Sequence, residues 1–463
     1  MHLDSIKQAI RLLIFFTVIT VTSIDAYAIH AQTYTFQPSE DPLLQSVEVS
    51  IAVAGKVKMK SARFGVIEEE VQVAAKQSYE QWLKFQRATQ LCRAIRYYSQ
   101  VQSDVIIGKG RFSPALRNNR KLLVDQYQLD RHCLYSPQGK LTRDELDLVD
   151  TQLSPTLFYQ LLPAVPVNTG DQWELDSSAL SAMLALDAVA QNDGKATLQK
   201  VEDQQASIVC QGDVAGGVNG VLTQIELSIQ AVYDIPTRSF TKVSLEMTER
   251  REIGHAKPGL DVRTNVVVQT RPLEKFATLT ESIIQKCDRQ VTERDELLSL
   301  IPVSDAIELA LSRDWHVMMD QPELLVMRQV IRGDLVSQCS LSRLQPLSDG
   351  KRMSTELLKQ QIKKSLGDQL AEFTETQQKS LQGKYPYIRI SAVGLVGDVT
   401  FQWVYHHVTD KVGNQYLFVF TIPNEKVAQF GQQDHEVVNS FVFRSESGKQ
   451  PVPASASTGT TKR

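Results

Sequence analysis

The sequence predicts an α+β, β-rich fold: an N-terminal antiparallel β-meander with inserted short helices, then a C-terminal α/β sandwich with one long amphipathic helix. Apolar and polar residues alternate over 47–53 and 221–233, which is the period of half-buried strands. Asn219-Gly220 separates two strand-like stretches and is a strong hairpin signal. Residues 358–373 carry apolar side chains three and four positions apart, as in an amphipathic helix.

The first residues have the pattern of a secretory signal, so we expect the protein in the periplasm or outside the cell. Lys7 and Arg11 precede an uncharged apolar run over 12–22, and residues 26–28 are the Ala-Tyr-Ala that a signal peptidase requires. Cleavage is expected after Ala28, and an uncleaved N-terminal anchor is the alternative. The sequence has no second apolar stretch of transmembrane length.

Composition narrows the class of protein without identifying it. Apolar residues make up 42% and charged residues 22% of the chain, which is ordinary for a globular protein. The formal net charge is −3, so composition gives no support for a nucleic-acid partner, which requires a concentrated basic surface.

Changes in pattern predict the domain boundaries. We assign residues 1–28 to the signal peptide, 32–271 to an antiparallel β domain with short helices, 272–300 to a linker, 301–443 to an α+β sandwich domain and 444–463 to a disordered tail. The linker is charged and weakly patterned, and a helix within it is the alternative. The tail is rich in Ser, Thr, Pro and Gly and has almost no large apolar residue.

In the N-terminal domain, strands are predicted over 47–53, 67–73, 97–108 and 121–134, with a loop over 109–120. Three short helices follow. The first begins at Thr142, whose side chain forms a capping box with Glu145. The second covers 155–162, and the third is capped by Ser177 or Ser178. Strands return from 196 to 269 as an antiparallel meander.

In the C-terminal domain, a hairpin is predicted over 324–341 with its turn at 332–334. A helix begins at Ser354 or Thr355 and carries one apolar stripe, weakened at Gly367. That stripe comprises Leu358, Ile362, Leu366, Leu370 and Phe373. Strands are predicted over 399–405 and 416–422, and a short helix follows over 434–441. We assign to a core five aromatic residues of these strands: Trp403, Tyr405, Tyr416, Phe418 and Phe420.

Several short segments resemble a group of uncharacterised exported proteins from planctomycete bacteria. These segments are 134–137, 141–142, 145–148, 161–163, 165–167, 170–173, 253–255, 258–262, Trp315, 332–334, 338–339 and 394–403. The resemblance covers most of the mature chain and implies no activity. The C-terminal part is also similar to PsbP-like proteins, and the N-terminal part to LolA-like carriers, whose curved sheet cups a lipid. A shared fold does not identify a function.

The sequence contains no motif of a metal, nucleotide or nucleophile site, and we predict no catalytic residue, cofactor or metal ligand. His406 and His407 are adjacent on a strand and point to opposite faces, so they do not share a metal; we expect one in the core and the other in water. The weak ligand candidate is His255, which lies in a loop between strands.

Five cysteines follow the predicted cleavage site, and none has CxxC spacing. Export permits disulfides, and Cys92 with Cys133 is the candidate pair. The alternative is that all five are small buried hydrophobic residues.

These observations favour an exported, non-catalytic binding or interaction protein of unknown partner. One alternative is a periplasmic carrier of a lipophilic ligand, and another is an enzyme with no recognisable motif. In the carrier, the cavity between sheet and helices is lined by Leu157, Leu161, Leu180, Met183 and Leu184. The alternative role of these five residues is to close the core.

Overall fold

A computed structural model describes residues 32–61, 64–129, 131–304, 306–346, 353–410 and 413–444. The predicted signal peptide and all but the first residue of the predicted tail lie outside these ranges. The described chain is β-rich and its sheets are antiparallel, as the sequence predicts.

The N-terminal part forms one antiparallel sheet of 13 strands within the described residues. They are β1 (Leu43–Ser61), β2 (Gly65–Gln86), β3 (Leu91–Ile107), β4 (Gly110–Phe112), β5 (Leu122–Gln128), β6 (Arg131–Tyr135), β7 (Gln172–Glu174), β8 (Ala188–Asn192), β9 (Lys195–Glu202), β10 (Gln205–Val218), β11 (Val221–Asp234), β12 (Ser239–Arg251) and β13 (Gly259–Pro272). Their order is β6-β5-β3-β2-β1-β13-β12-β11-β10-β9-β7, with β4 beside β3 and β8 beside β10. The pairing of β1 with β13 therefore joins two meanders into one sheet.

Short helices cover one face of this sheet and bury its alternating apolar residues. They are α1 (Arg143–Val149), a 3₁₀ helix (Pro155–Leu161) and α2 (Ser177–Leu184). The Thr142–Glu145 capping box is confirmed. The cap of α2 differs from the prediction: the Asp176 carboxylate, not Ser177 or Ser178, accepts hydrogen bonds from the first free N–H groups.

The stretch predicted as one strand over 121–134 is a hairpin, β5–β6. The chain reverses at Leu129, which has a φ of 58°. The sequence has no glycine or Asn-Gly pair there, so the turn lacks its usual signal.

Residues 273–297, which we predicted as part of a linker, pack on the opposite face of the same sheet. Helix α3 (Glu281–Cys287) is capped by Thr280. Leu279 and Cys287 belong to a buried cluster with Trp82, Ile95 and Val124. The sheet is thus covered on both faces at this end.

The C-terminal part contains a small and a large antiparallel sheet. The small sheet has β14 (Leu298–Leu300), β15 (Ile307–Leu311) and β23 (Val442–Phe443). The large sheet has the order β16-β17-β18-β22-β21-β20-β19. Its strands are β16 (Trp315–Gln321), β17 (Leu324–Ile331), β18 (Asp334–Leu344), β19 (Leu370–Leu381), β20 (Tyr385–Val396), β21 (Val399–Thr409) and β22 (Gln415–Pro423).

Both faces of the large sheet are covered. On one face, helix α4 (Thr355–Leu366), capped by Ser354, packs Leu358 and Ile362 against Trp403 and Tyr405. On the other face, the small sheet, α5 (Val427–Phe430) and α6 (Gln433–Asn439) share a second cluster with the aromatic residues of β22. The predicted aromatic set therefore contributes to two separate cores.

The predicted helix over 354–373 is too long. Helix α4 ends at Leu366, Gly367 takes a φ of 53°, and Leu370 begins β19. A left-handed residue at this point ends the helix, and glycine adopts it without steric cost.

The two parts of the chain are in direct contact. The Ser299 N–H donates to the Leu141 carbonyl at 2.8 Å, and Arg143 donates to the Arg313 carbonyl at 2.5 Å. The turns at Gly220 and Gly333 also meet: a Cβ on Gly220 would lie 2.3 Å from the Gly333 Cα. Both turns therefore require glycine here.

Candidate functional site

A buried charged network lies beside the short helices of the N-terminal domain, where β3, β5 and β6 place Arg96, Asp125 and His132 together. The Asp125 carboxylate lies 2.7 Å from an Arg96 guanidinium nitrogen and 2.7 Å from His132 Nε2. Ser154 and Thr156, from the start of the 3₁₀ helix, donate their hydroxyls to the same carboxylate. Asp125 is completely buried, and both of its carboxylate oxygens have hydrogen-bonding partners.

This network does not have the connectivity of a nucleophile with its base. Burial by itself raises the pKa of Asp125, but the Arg96 guanidinium and His132 outweigh it and hold the pKa far below its usual range. Such a carboxylate is a poor base for Ser154, and the imidazole of His132 is on the far side of it. Although burial lowers the pKa of His132, Asp125 raises it overall. The arrangement is that of a structural ion network.

A second buried network lies between β20, β21 and α6 in the C-terminal domain. The Tyr387 hydroxyl is 2.7 Å from His406 Nδ1, and His406 Nε2 is 3.0 Å from an Asp434 carboxylate oxygen. Arg389 Nε donates to that oxygen at 2.9 Å and also contacts Glu375. The order hydroxyl, imidazole, carboxylate is the order of an acid–base relay.

The relay is closed to substrate, because Tyr387, His406 and Asp434 are all buried. Burial raises the pKa of Asp434, but hydrogen bonding to His406 and the charges of His406 and Arg389 lower it overall to about 2. Burial also raises the pKa of Tyr387 above its ordinary value, so the hydroxyl keeps its proton. The network holds α6 on the sheet.

We expect the free energy of unfolding to depend on pH through the ionisation of Asp434. Its folded-state pKa of about 2 is below the ordinary 3.8, so its contribution is fully present above pH 3.8 and is lost as the pH falls towards about 2. Urea unfolding at a series of pH values measures this. As the pH falls, the free energy of unfolding should decrease less steeply for Asp434→Asn than for the wild-type protein. Equal slopes for the two proteins would contradict the assignment.

The five predicted cavity residues lie together in the main N-terminal core. Leu157 and Leu161 come from the 3₁₀ helix, and Leu180, Met183 and Leu184 from α2. All five are buried and pack in one cluster with the apolar face of the sheet. A lipophilic ligand held by them stays a prediction.

The structure does not bring Cys92 and Cys133 together. They lie on β3 and β6, with β5 between, so their Cα atoms are roughly 10 Å apart, beyond disulfide reach. Cys92 is opposite Tyr127 and Cys133 is opposite Gln126, so the two thiols point to opposite faces. All five cysteines are free and buried.

The histidines singled out in the sequence lie apart. His255 is an exposed loop residue whose carbonyl accepts a hydrogen bond from Arg328, between the two parts of the chain. His406 and His407 do point to opposite faces, but both are buried, because the sheet is covered on both sides; the expectation that one faces water was wrong. His407 Nε2 is 2.8 Å from Gln415. In the described residues, no three His, Cys, Asp or Glu side chains are grouped to hold a metal ion.

An exposed apolar surface that the sequence analysis missed lies at the end of the β1–β2 hairpin. Pairing continues to Ser61 opposite Gly65, whereas the neighbouring strand β13 ends opposite Lys58 and β3 ends opposite Val71. The hairpin thus projects beyond its described neighbours. We call residues 59–61 and 64–67 the hairpin tip.

Apolar side chains at the hairpin tip are exposed to solvent. The exposed fractions are 40% for Met59, 68% for Phe64 and 58% for Val66. Grouped exposure of large apolar residues marks a binding surface more often than isolated exposure does. The sequence signal was an aromatic residue between two unusually long alternating strands.

Among the described residues, no helix is long and apolar enough to cross a membrane. No family model and no curated protein matches the sequence. The similarity of this chain to solved structures is weak. Cyanobacterial PsbP (CyanoP) from Synechocystis is 19% identical over 32% of this chain and 92% of its own, with a TM-score of 0.27. A Bacteroides thetaiotaomicron protein is 14% identical over 33% of this chain and 50% of its own, with a TM-score of 0.24. Lipovitellin is 9% identical over 53% of this chain and 27% of its own, with a TM-score of 0.28.

Proposed function

We propose that the protein is exported and acts as a non-catalytic binding protein that docks on its partner through the hairpin tip. The observation that carries this proposal is the exposure of Met59, Phe64 and Val66 at the end of a projecting hairpin. An exposed apolar group is unfavourable in water and is stabilised when a partner covers it.

The two polar networks support a non-catalytic role. Both are buried, and their carboxylates are committed to arginine and histidine partners inside the fold. A catalytic group has to reach its substrate, and Asp125 and His406 are fully buried. Their geometry suits structural support: the first network lies in the sheet that carries the hairpin, and the second lies in the large C-terminal sheet.

Sequence features support export. The apolar run over 12–22 followed by Ala-Tyr-Ala is the pattern of a cleavable signal, and five unpaired cysteines are compatible with export when all are buried. We therefore place the docking partner in the periplasm or outside the cell.

Photo-crosslinking in cells that produce the protein tests the proposal. A photoreactive residue at position 64 should give discrete adducts, because the Phe64 side chain is at the proposed contact. The matched control is position 129, since Leu129 is similarly exposed at the β5–β6 turn. Mass spectrometry identifies each adduct as protein or lipid. Adducts at neither position, or equal adducts at both, would contradict docking by the hairpin tip.

A further inference from the structure

The contact between the two parts of the chain contains a histidine with an unpaired ring nitrogen. His316 lies near the start of β16, and its Nε2 is buried without a hydrogen-bonding partner among the described residues. Buried polar atoms are normally paired, because burial takes away their hydrogen bonds to water. Adding a proton to this imidazole therefore changes a contact that has no acceptor ready for it.

Hydrogen bonds between the two parts hold this histidine at the contact. Arg328 lies directly opposite His316 on β17, and it donates at 2.8 Å to the His255 carbonyl in the loop between β12 and β13. Arg143 of α1 donates to the carbonyl of Arg313, three residues before His316. We call the region that contains Arg143, Lys257, His316 and Arg328 the domain seam.

The charges that act on His316 across the seam are positive. Burial lowers the pKa of His316, the charges of Arg143 and Lys257 lower it further, and it reaches about 4. Arg328 adds a third cationic side chain on the same face of the sheet, because residues directly opposite each other on paired strands share a face. His316 is therefore neutral at pH 7 while the seam is closed.

Three carboxylates also lie at the seam. Asp147 and Asp314 interact electrostatically with Arg143, and Asp187 interacts with Lys257. Burial raises the pKa of Asp147 and Asp314, so their protonation favours the closed seam and opposes protonation of the imidazole. An ordinary aspartate has a pKa of 3.8. A test that stays above about pH 5 therefore reports mainly on the histidine.

We propose that the domain seam is a proton-sensitive contact, in which protonation of His316 weakens the packing between the two parts of the chain. The protonated imidazole donates from both nitrogens, and Nε2 has no acceptor in the closed seam. Its charge is also repelled by Arg143 and Lys257. This conformational response is separate from docking by the hairpin tip and does not depend on it.

Acid should therefore open the seam. In the open seam water solvates the imidazole, and its pKa returns to the ordinary 6.5, whereas in the closed seam it is about 4. The stability of the closed seam is thus fully present above pH 6.5 and decreases as the pH falls towards about 4. Between about pH 7.5 and about pH 5, the ratio of closed to open seam should fall about thirtyfold.

Hydrogen exchange by mass spectrometry on the full chain tests the inference over this pH interval. Each rate is divided by the rate of an unstructured peptide at the same pH, which gives a protection factor. The reporter is the Ser299 amide, which joins the two parts through its 2.8 Å hydrogen bond to the Leu141 carbonyl. Its protection should fall about thirtyfold, whereas peptides of β11, inside the N-terminal sheet, should change less than about threefold.

His316→Gln removes the titrating group and keeps a polar side chain, so protection at Ser299 should fall less than about threefold over the same interval. Lys257→Gln removes one repelling charge and should give a loss smaller than that of the wild-type protein. The matched control is His255→Gln, because His255 is an exposed histidine of the same contact and offers its backbone carbonyl to Arg328. This control should keep the full dependence on pH.

Far-UV circular dichroism checks that each variant is folded. Protection at Ser299 that does not change with pH in the wild-type protein overturns the inference, and so does a thirtyfold loss that persists in His316→Gln. If His316→Gln does not fold, Lys257→Gln decides: a smaller loss than in the wild-type protein supports the proton-sensitive seam, and an equal loss contradicts it.

Discussion

Replacing Asp125 by asparagine is expected to destabilise the N-terminal domain by about 3–5 kcal/mol. The substitution keeps the size of the side chain and removes its charge. Arg96 then remains as a buried guanidinium without its counter-ion, because its contacts with Gln81, Ser154 and the Tyr79 ring supply no full negative charge. An unpaired buried charge costs far more than the pair itself contributes.

The measurement is hydrogen exchange by mass spectrometry together with urea unfolding. Peptides from β3, β5 and β6 should lose protection first, while those from β17 to β22 should change little. The matched control is Asp104→Asn, which removes an exposed carboxylate that pairs with Arg111 and should cost less than about 1 kcal/mol. Adding Arg96→Met to Asp125→Asn should recover part of the loss, since no unpaired charge remains. If Asp125→Asn lowers the free energy of unfolding no more than Asp104→Asn does, this view of the network is contradicted.

Local patterns in the sequence predicted most of the strands but not the network. Alternation identifies a strand and the face it buries, as for the strands around Asn219-Gly220, which form a hairpin with its turn at the predicted position. The network requires β3, β5, β6 and the residues before the 3₁₀ helix to meet. Those pairings link residues up to 58 positions apart. No periodicity along one strand contains that information.

The excess length predicted for the helix after Ser354 has a specific cause. Strand β19 contains two irregularities in its pairing with β20, between Leu370 and Glu372 and between Phe373 and Glu375. Each adds a residue, so side chains three or four positions apart return to the same face. That spacing imitates a helix, and the apolar stripe of α4 continues without a visible break.

The hairpin tip was missed for a related reason. Met59 and Val66 belong to strands that alternate, and alternation is typical of a half-buried sheet. Whether such residues are covered depends on how far the neighbouring strands extend. Here β13 and β3 stop before the turn, and only the three-dimensional register reveals it.

Phe441→Ala is expected to destabilise the C-terminal domain by about 3–5 kcal/mol. Phe441 is fully buried and follows helix α6. Its ring lies 5.5 Å from Tyr416, 5.7 Å from Phe418 and 4.6 Å from Phe443, measured between centroids. It therefore packs the last strand of the small sheet against β22 of the large sheet, and alanine leaves a cavity at this junction.

Urea unfolding measures the loss, and Leu395→Ala is the control, because Leu395 is an exposed apolar residue on β20. Phe441→Leu should cost less than Phe441→Ala, since leucine fills part of the space. Hydrogen exchange should increase in β15, whose partner β23 is held by the same aromatic cluster. If Phe441→Ala costs no more than Leu395→Ala, the two sheets are joined by other contacts. The loss expected here follows from burial of one ring between two sheets, whereas the sequence pattern predicted Phe441 only as the end of a short helix over 434–441.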